Sequence, residues 1–95
     1  MTPAEFETHA IAAIERMLAR GSRIVAGTWG DSTCGCALTL VAADAGHRVW
    51  ALFPGHDAWI LDALVEGFDD PYMLGAGEWH AIGRRLRARF LGDET

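Results

Sequence analysis

The amino-acid sequence predicts a small single domain of the α+β class, in the order helix, three-strand antiparallel meander, helix, helix. Apolar residues recur at helical spacing near the start of the chain and in its last third, whereas three short runs in the middle are rich in β-branched, aromatic and aliphatic residues. A chain of 95 residues, 51% of them hydrophobic, suits one compact domain over residues 1–95.

The first helix is predicted by its start signal and by its periodicity. Thr2-Pro3-Ala4-Glu5 has the spacing of a capping box with proline at the first helical position. Apolar residues then recur every three or four positions as far as Gly21. The pattern predicts a helix over residues 3–20.

The middle of the chain admits two interpretations. Residues 24–29, 36–41 and 49–53 are short apolar runs separated by turn-like segments, and we favour three antiparallel strands. The alternative is a helix over residues 36–46, started by Ser32 or Thr33 and stopped by Gly46. That alternative would make the protein all-α, with four short helices.

Two further helices are predicted in the last third. After the Pro54-Gly55 turn, Asp57 can open a helix whose apolar stripe faces the core and whose Asp62 and Glu66 lie on the other face. The stripe consists of Ile60, Leu61, Leu64, Val65 and Phe68. The final helix has a buried stripe of Trp79, Ile82, Leu86 and Phe90, through which a homodimer or homo-oligomer could also form.

The charges are sorted along the chain and indicate a class of partner. The net charge is −5, and all eight residues of the Lys and Arg class are arginines. Without lysine, Schiff-base and phosphate-loop chemistry are excluded. No arginine lies between Arg48 and Arg84, where six acidic residues lie. An acidic surface repels phosphate backbones and attracts basic proteins, so we expect a basic protein or a nucleic-acid-binding enzyme as partner and no direct contact with nucleic acid.

The composition also predicts where the protein works. No stretch approaches the ~20 consecutive apolar residues of a membrane-spanning helix. Acidic residues stand near the start, where a secretory signal would carry basic ones. Two cysteines so close together cannot form a framework of crosslinks, which agrees with a reducing compartment. We therefore expect a soluble cytoplasmic protein with no membrane contact.

Cys34-Gly35-Cys36 is the segment that most invites chemistry. Two thiolates could bind zinc together with His47 and His56, or with His9 or His80, and a redox role is also conceivable. We favour packing, since cysteine is among the most buried residue types, and we expect no cofactor. Gly30-Asp31-Ser32 lacks the closing glycine of a hydrolase nucleophile turn, and no catalytic set is found, so we do not expect an enzyme.

The function predicted from these observations is the binding of another macromolecule. Core packing is the commoner role for a tryptophan in a small domain, and for Trp59, at the edge of the acidic face, an anchor in an interface is the alternative. We expect an inhibitor-type or immunity-type protein that blocks a basic partner, such as a phage or mobile-element anti-defence protein of the anti-CRISPR kind. The alternatives are a small zinc or redox protein and a homo-oligomeric subunit. The predicted partner-binding residues are Asp57, Trp59, Asp62, Glu66, Asp69 and Asp70.

Overall fold

In the computed structural model, which describes residues 1–70 and 77–92, helices surround one apolar core and a very small sheet lies at its edge. The helices are α1 (Pro3–Ala19), α2 (Ala37–Asp44), α3 (Ala58–Asp69) and α4 (Glu78–Leu91). The strands are β1 (Arg23–Ile24) and β2 (Cys34–Gly35), and single 3-10 turns occur at Val49–Ala51 and Gly55–Asp57.

The start of α1 confirms the predicted capping box. The Thr2 hydroxyl accepts a hydrogen bond from the Glu5 amide at 3.2 Å, and the Glu5 carboxylate accepts one from the Thr2 amide at 2.8 Å. These bonds satisfy donors that the first turn of a helix leaves without partners. The predicted apolar stripe is buried at Phe6, Ala10, Ala13, Ile14 and Met17.

The three-strand antiparallel meander is wrong. Residues 37–44 form α2 instead, so the helical alternative for this segment is confirmed, although the helix begins after Cys36 and not at Ser32 or Thr33. Alanine and leucine dominate the segment and both favour helices. It is buried on nearly all sides, so its apolar run carried no periodicity to separate a helix from a strand.

The other two predicted strands are also shorter or absent. β1 and β2 pair in parallel, with Arg23 opposite Cys34 and Ile24 opposite Gly35. Residues 49–51 form a 3-10 turn in which Val49 is buried. A two-residue parallel pair buries little surface by itself, so the strands tie down the loop before α2 and do not form a layer of the fold.

The predicted third and fourth helices are confirmed, and their contact depends on two glycines. A Cβ atom on Gly67 would collide with the carbonyl oxygen of His80, and one on Gly83 would collide with the carbonyl oxygen of Leu64. Gly67 and Gly83 therefore face each other where α3 and α4 touch backbone to backbone. Any other residue at either position would force the helices apart.

The core is shared by all four helices. Of the predicted α3 stripe, Ile60, Leu61, Leu64 and Phe68 are buried, and Val65 is half-buried. In α4, Ile82 and Leu86 are buried, while Trp79 and Phe90 are half-buried against the same core. The centre of the α4 stripe is thus covered within one copy of the chain. The homodimer through this stripe remains a prediction, and it would have to use the half-buried ends.

Among the helices of the described residues, none combines the length and the apolar character needed to cross a membrane.

Replacing Gly83 by alanine should destabilise the protein. In an ordinary helix interior this change gains about 0.5–1 kcal/mol. Here the added methyl group would meet the Leu64 carbonyl, and such overpacking typically costs about 1–3 kcal/mol. Urea denaturation followed by circular dichroism would measure the change, and an increase in the free energy of unfolding would show that the two helices do not depend on this contact.

Candidate functional site

The outer side of α3 carries an exposed tryptophan above a row of carboxylates. Trp59, Asp62, Glu66 and Asp70 follow one another at intervals of three or four residues, which places them on one side of the helix, and all are exposed. We call these residues the acidic face of α3. Trp59 is 58% exposed, so the prediction that it packs in the core is wrong.

The two other predicted partner-binding residues lie beside this face. Asp57 is exposed and immediately precedes α3, and its side chain makes no capping hydrogen bond to the helix. Asp69 is also exposed, but its carboxylate accepts a hydrogen bond from the Gly27 amide at 3.0 Å. Asp69 thus holds the loop after β1 against the end of α3, and this structural contact was not predicted.

Three acidic residues of α1 and α2 are paired with arginine. The carboxylate of Asp44 lies 2.7 Å from the Arg16 guanidinium, that of Glu7 lies 2.7 Å from Arg85, and that of Glu15 lies 3.6 Å from Arg89. Within residues 1–70 and 77–92, no arginine forms an ion pair with a carboxylate of α3. Asp62, Glu66 and Asp70 are therefore a local group of exposed carboxylates without an arginine partner among the described residues.

An apolar hollow of about 250 Å³ opens beside the first turn of α3. Its wall is a cluster of Phe6, Phe53 and Trp79, whose ring centroids are 5.2 to 5.7 Å apart. Asp57 and His9 supply its polar groups. Sequence reasoning missed the hollow because it placed Phe53 in a strand, where the ring would not have met α1 and α4.

The segment 29–36 forms a tight loop. One oxygen of the Asp31 carboxylate accepts hydrogen bonds from the Thr33 hydroxyl at 2.6 Å, the Thr33 amide at 2.8 Å and the Cys34 amide at 3.0 Å. These bonds, led by that from the Thr33 hydroxyl, lower the pKa of Asp31. Gly30 has a φ of +66°, and a Cβ atom there would collide with the Cys34 carbonyl. Gly30 and Asp31 therefore have structural roles in the loop, and their presence does not require a catalytic nucleophile in this segment.

The two cysteines are free thiols in different environments. Cys34 is exposed on β2, whereas Cys36 is 3% exposed and lies 3.4 Å from the Thr39 hydroxyl at the start of α2. His47 and His56 are both exposed. In the part of the chain that the structure describes, no three His, Cys, Asp or Glu side chains come together as a metal site would need. The zinc and redox alternatives remain untested predictions.

A second exposed aromatic surface lies between this loop and the turn after α2. Trp50 is 56% exposed and contacts Trp29 edge to face, with ring centroids 5.1 Å apart. A groove of about 260 Å³ is lined by both residues. Sequence reasoning assigned both tryptophans to strands of the core. In Arg48-Val49-Trp50 only Val49 is buried, and no signal in the sequence marked Trp50 as exposed.

His80 is a buried polar group that the α4 pattern did not reveal. It is 3% exposed, and its Nδ1 atom lies 2.6 Å from the Arg84 guanidinium. Because a guanidinium only donates, Nδ1 accepts this bond and Nε2 carries the ring proton. Among the described residues, Nε2 has no hydrogen-bond partner, and the Glu66 carboxylate oxygen lies 3.7 Å away.

No protein-family model, curated protein or solved structure matches this chain.

The arginine-paired carboxylates should make stability sensitive to acid. The Arg85 and Arg16 guanidinium groups hold the pKa values of Glu7 and Asp44 below their ordinary range. Carboxyl groups with lowered pKa values in the folded state contribute stability above their unfolded values of about 4, and this contribution is lost as the pH falls through the folded values. We expect the free energy of unfolding to decline below about pH 4, and to decline less steeply in a Glu7→Gln/Asp44→Asn variant. Urea titrations across this range would test this; equal slopes would contradict it.

Proposed function

We propose that this protein binds a basic protein through the acidic face of α3 and thereby blocks that protein's own interactions. The observation that carries the proposal is the exposure of Trp59 next to carboxylates that no described arginine neutralises. Most acidic residues of the remaining helices serve internal ion pairs or caps, whereas Asp62 and Glu66 of α3 have no arginine partner among the described residues. The protein would act by occupying a surface, without catalysis.

The chemistry of the face suits such an interface. A large exposed indole loses apolar contact with water when a partner covers it, and tryptophan is enriched among the residues that dominate binding energy. The surrounding carboxylates favour encounter with a positively charged surface and oppose negatively charged ones. Trp59 would therefore contribute most of the binding energy. Asp62 and Glu66 would raise the rate of association with basic partners and discriminate against acidic ones.

The apolar hollow offers a second point of attachment. It lies directly beside the start of α3, and Asp57 at its rim belongs to the same uncompensated group of carboxylates. An apolar side chain of the partner can fill the hollow while a neighbouring lysine or arginine meets Asp57. A partner with alternating apolar and basic residues would engage both features.

Enzymes that act on nucleic acids fit this description, because they expose basic channels that an acidic face can occupy. An inhibitor-type or immunity-type protein, such as an anti-defence protein of a phage or mobile element of the anti-CRISPR kind, would act by this means. We place the protein in this functional group as a proposal, with the cytoplasm as its place of action.

Charge reversal on the acidic face should weaken binding through the rate of association. A partner is first isolated from an extract of the native source with the unaltered protein, and its association rate is measured by surface plasmon resonance at rising salt. The rate should fall with salt, because electrostatic steering is screened. The Asp62→Arg/Glu66→Arg variant should bind more slowly and lose most of the salt dependence.

The matched control for this experiment is Glu15→Arg/Glu78→Arg. It makes the same change in net charge at exposed residues of α1 and α4. If both variants slowed association equally, net charge alone would be responsible and the assignment to α3 would be wrong. If neither variant changed the rate or its salt dependence, the acidic face would not be the binding surface.

Replacing Trp59 by alanine should cost binding and spare the fold. An anchor residue contributes about 2 kcal/mol or more, which is roughly a thirtyfold loss of affinity. Because Trp59 is exposed, the free energy of unfolding should change by no more than about 0.5 kcal/mol. Trp50→Ala is the control, since Trp50 is equally exposed but lies outside α3. A large loss of stability in Trp59→Ala, with affinity unchanged, would refute the role of anchor.

A further inference from the structure

We propose that the groove lined by Trp29 and Trp50 is a binding site for a planar nitrogen heterocycle that carries an anionic group, which is the chemistry of a mononucleotide. This site is separate from the acidic face of α3 and does not depend on the proposed function. It also gives a role to the segment 29–36, which partner binding through α3 leaves unused.

The groove has an aromatic wall, and Asp31 and Arg48 are charged residues of its lining. Its volume is about 260 Å³, slightly below the range of about 300–1,000 Å³ that is usual for small-molecule sites. It can therefore enclose one ring system while the rest of the ligand lies at its rim. The lining residues that matter for a ligand are Trp29, Asp31, Arg48 and Trp50.

The Trp29 side of the groove is held rigidly by the loop. The Trp29 carbonyl accepts a hydrogen bond from the Cys36 amide at 3.1 Å, which ties it to the start of α2. Gly30 and Gly35 approach so closely that neither position has room for a Cβ atom. A site built on a preorganised loop loses little conformational entropy when a ligand binds.

Trp50 provides the surface on which a ring can stack. Its neighbour Val49 is buried and anchors the 3-10 turn, yet Trp50 itself remains 56% exposed after its contact with Trp29. A large apolar ring is therefore accessible to a ligand at the groove. Stacking on such a ring suits any nucleobase, because every base presents a π face.

The charged groups at the groove favour a ligand that carries both an anionic oxygen and an N–H donor. Arg48 forms no ion pair with any other described residue, and a guanidinium matches the oxygens of phosphate. Asp31 has one oxygen engaged in the loop and a second that can accept from a ring N–H or amino group. A simple anion would be repelled by Asp31. A base with a phosphate can bond to both charged groups, the phosphate to Arg48 and the base to Asp31.

The probes are AMP, GMP, CMP and UMP, compared with adenosine and with inorganic phosphate. Binding is followed by NMR through the indole N–H resonances of the tryptophans. We expect at least one mononucleotide to shift the Trp29 and Trp50 resonances saturably at millimolar concentration. Removal of the phosphate, tested as AMP against adenosine where AMP binds, should weaken affinity about tenfold, because it removes one charged contact. Phosphate alone should cause no saturable shift.

Two variants with matched controls test the assignment of residues. Trp50→Ala should reduce mononucleotide affinity at least about tenfold, whereas Trp59→Ala, which removes a similarly exposed indole, should leave it unchanged. Arg48→Gln should reduce mononucleotide affinity to that of the nucleoside without altering nucleoside binding. Arg23→Gln, which removes an exposed arginine outside the groove, should have no effect.

The outcomes separate this proposal from its competitors. Absence of a saturable shift with every mononucleotide, or binding that Trp50→Ala leaves intact, would overturn it. Equal affinity for nucleoside and nucleotide would overturn the role of Arg48, and saturable binding of phosphate alone would indicate a plain anion site. Thermal unfolding of each variant shows whether it is folded. If Trp50→Ala failed to fold, the Arg48→Gln comparison between nucleotide and nucleoside would still decide the question.

Discussion

The contact between Gly67 and Gly83 is the constraint on which the rest of the structure depends. With no side chain at either position, α3 and α4 approach until each glycine lies against the backbone of the other helix. The buried residues of both helices, such as Phe68 and Ile82, then meet in one core with α1 and α2. The Phe68 carbonyl, near the end of α3, accepts a hydrogen bond from Arg87 of α4 at 2.8 Å, which further joins the pair. Because the inner side of α3 packs against α4 and the core, its outer side faces solvent.

The distribution of arginines gives that outer side its character. Arginines of α1 and α4 reach Asp44 and Glu7, so these ion pairs join α1 to α2 and α4 to α1. Surface ion pairs contribute little stability individually, but these pairs direct arginines to carboxylates outside α3. The carboxylates of Asp62 and Glu66 on α3 are left without a described arginine, beside an exposed tryptophan. An excess of acidic residues thereby becomes a local electrostatic feature that a basic partner can recognise.

The two most exposed tryptophans have different surroundings, which is why they support different proposals. Trp59 lies on a helix among carboxylates and suits a broad, positively charged protein surface. Trp50 lies over a groove with Trp29, Asp31 and Arg48, and suits a small ring with a charged substituent. Each residue serves as the control for the other, because both are large, exposed and replaceable without opening the core.

Local signals determined α1, α3 and α4 from the sequence alone. The Thr2 and Glu5 cap acts within four residues, and the apolar stripes of the longer helices repeat often enough to identify their period. The acidic face of α3 follows from the same periodicity, since residues 62 and 66 must share a side of the helix. Such features need no knowledge of distant parts of the chain.

Tertiary contacts decided what the local pattern left open. Residues 37–44 became a helix because they are enclosed by the other helices, and a run that is apolar on every side contains no phase from which to predict its conformation. The exposure of Trp59, the burial of His80 and the meeting of Trp29 with Trp50 depend on residues far apart in the chain. These placements depend on how closely Gly67 and Gly83 allow α3 and α4 to approach, and on where β1 and β2 hold the loop before α2. Neither constraint is visible in any short stretch of sequence.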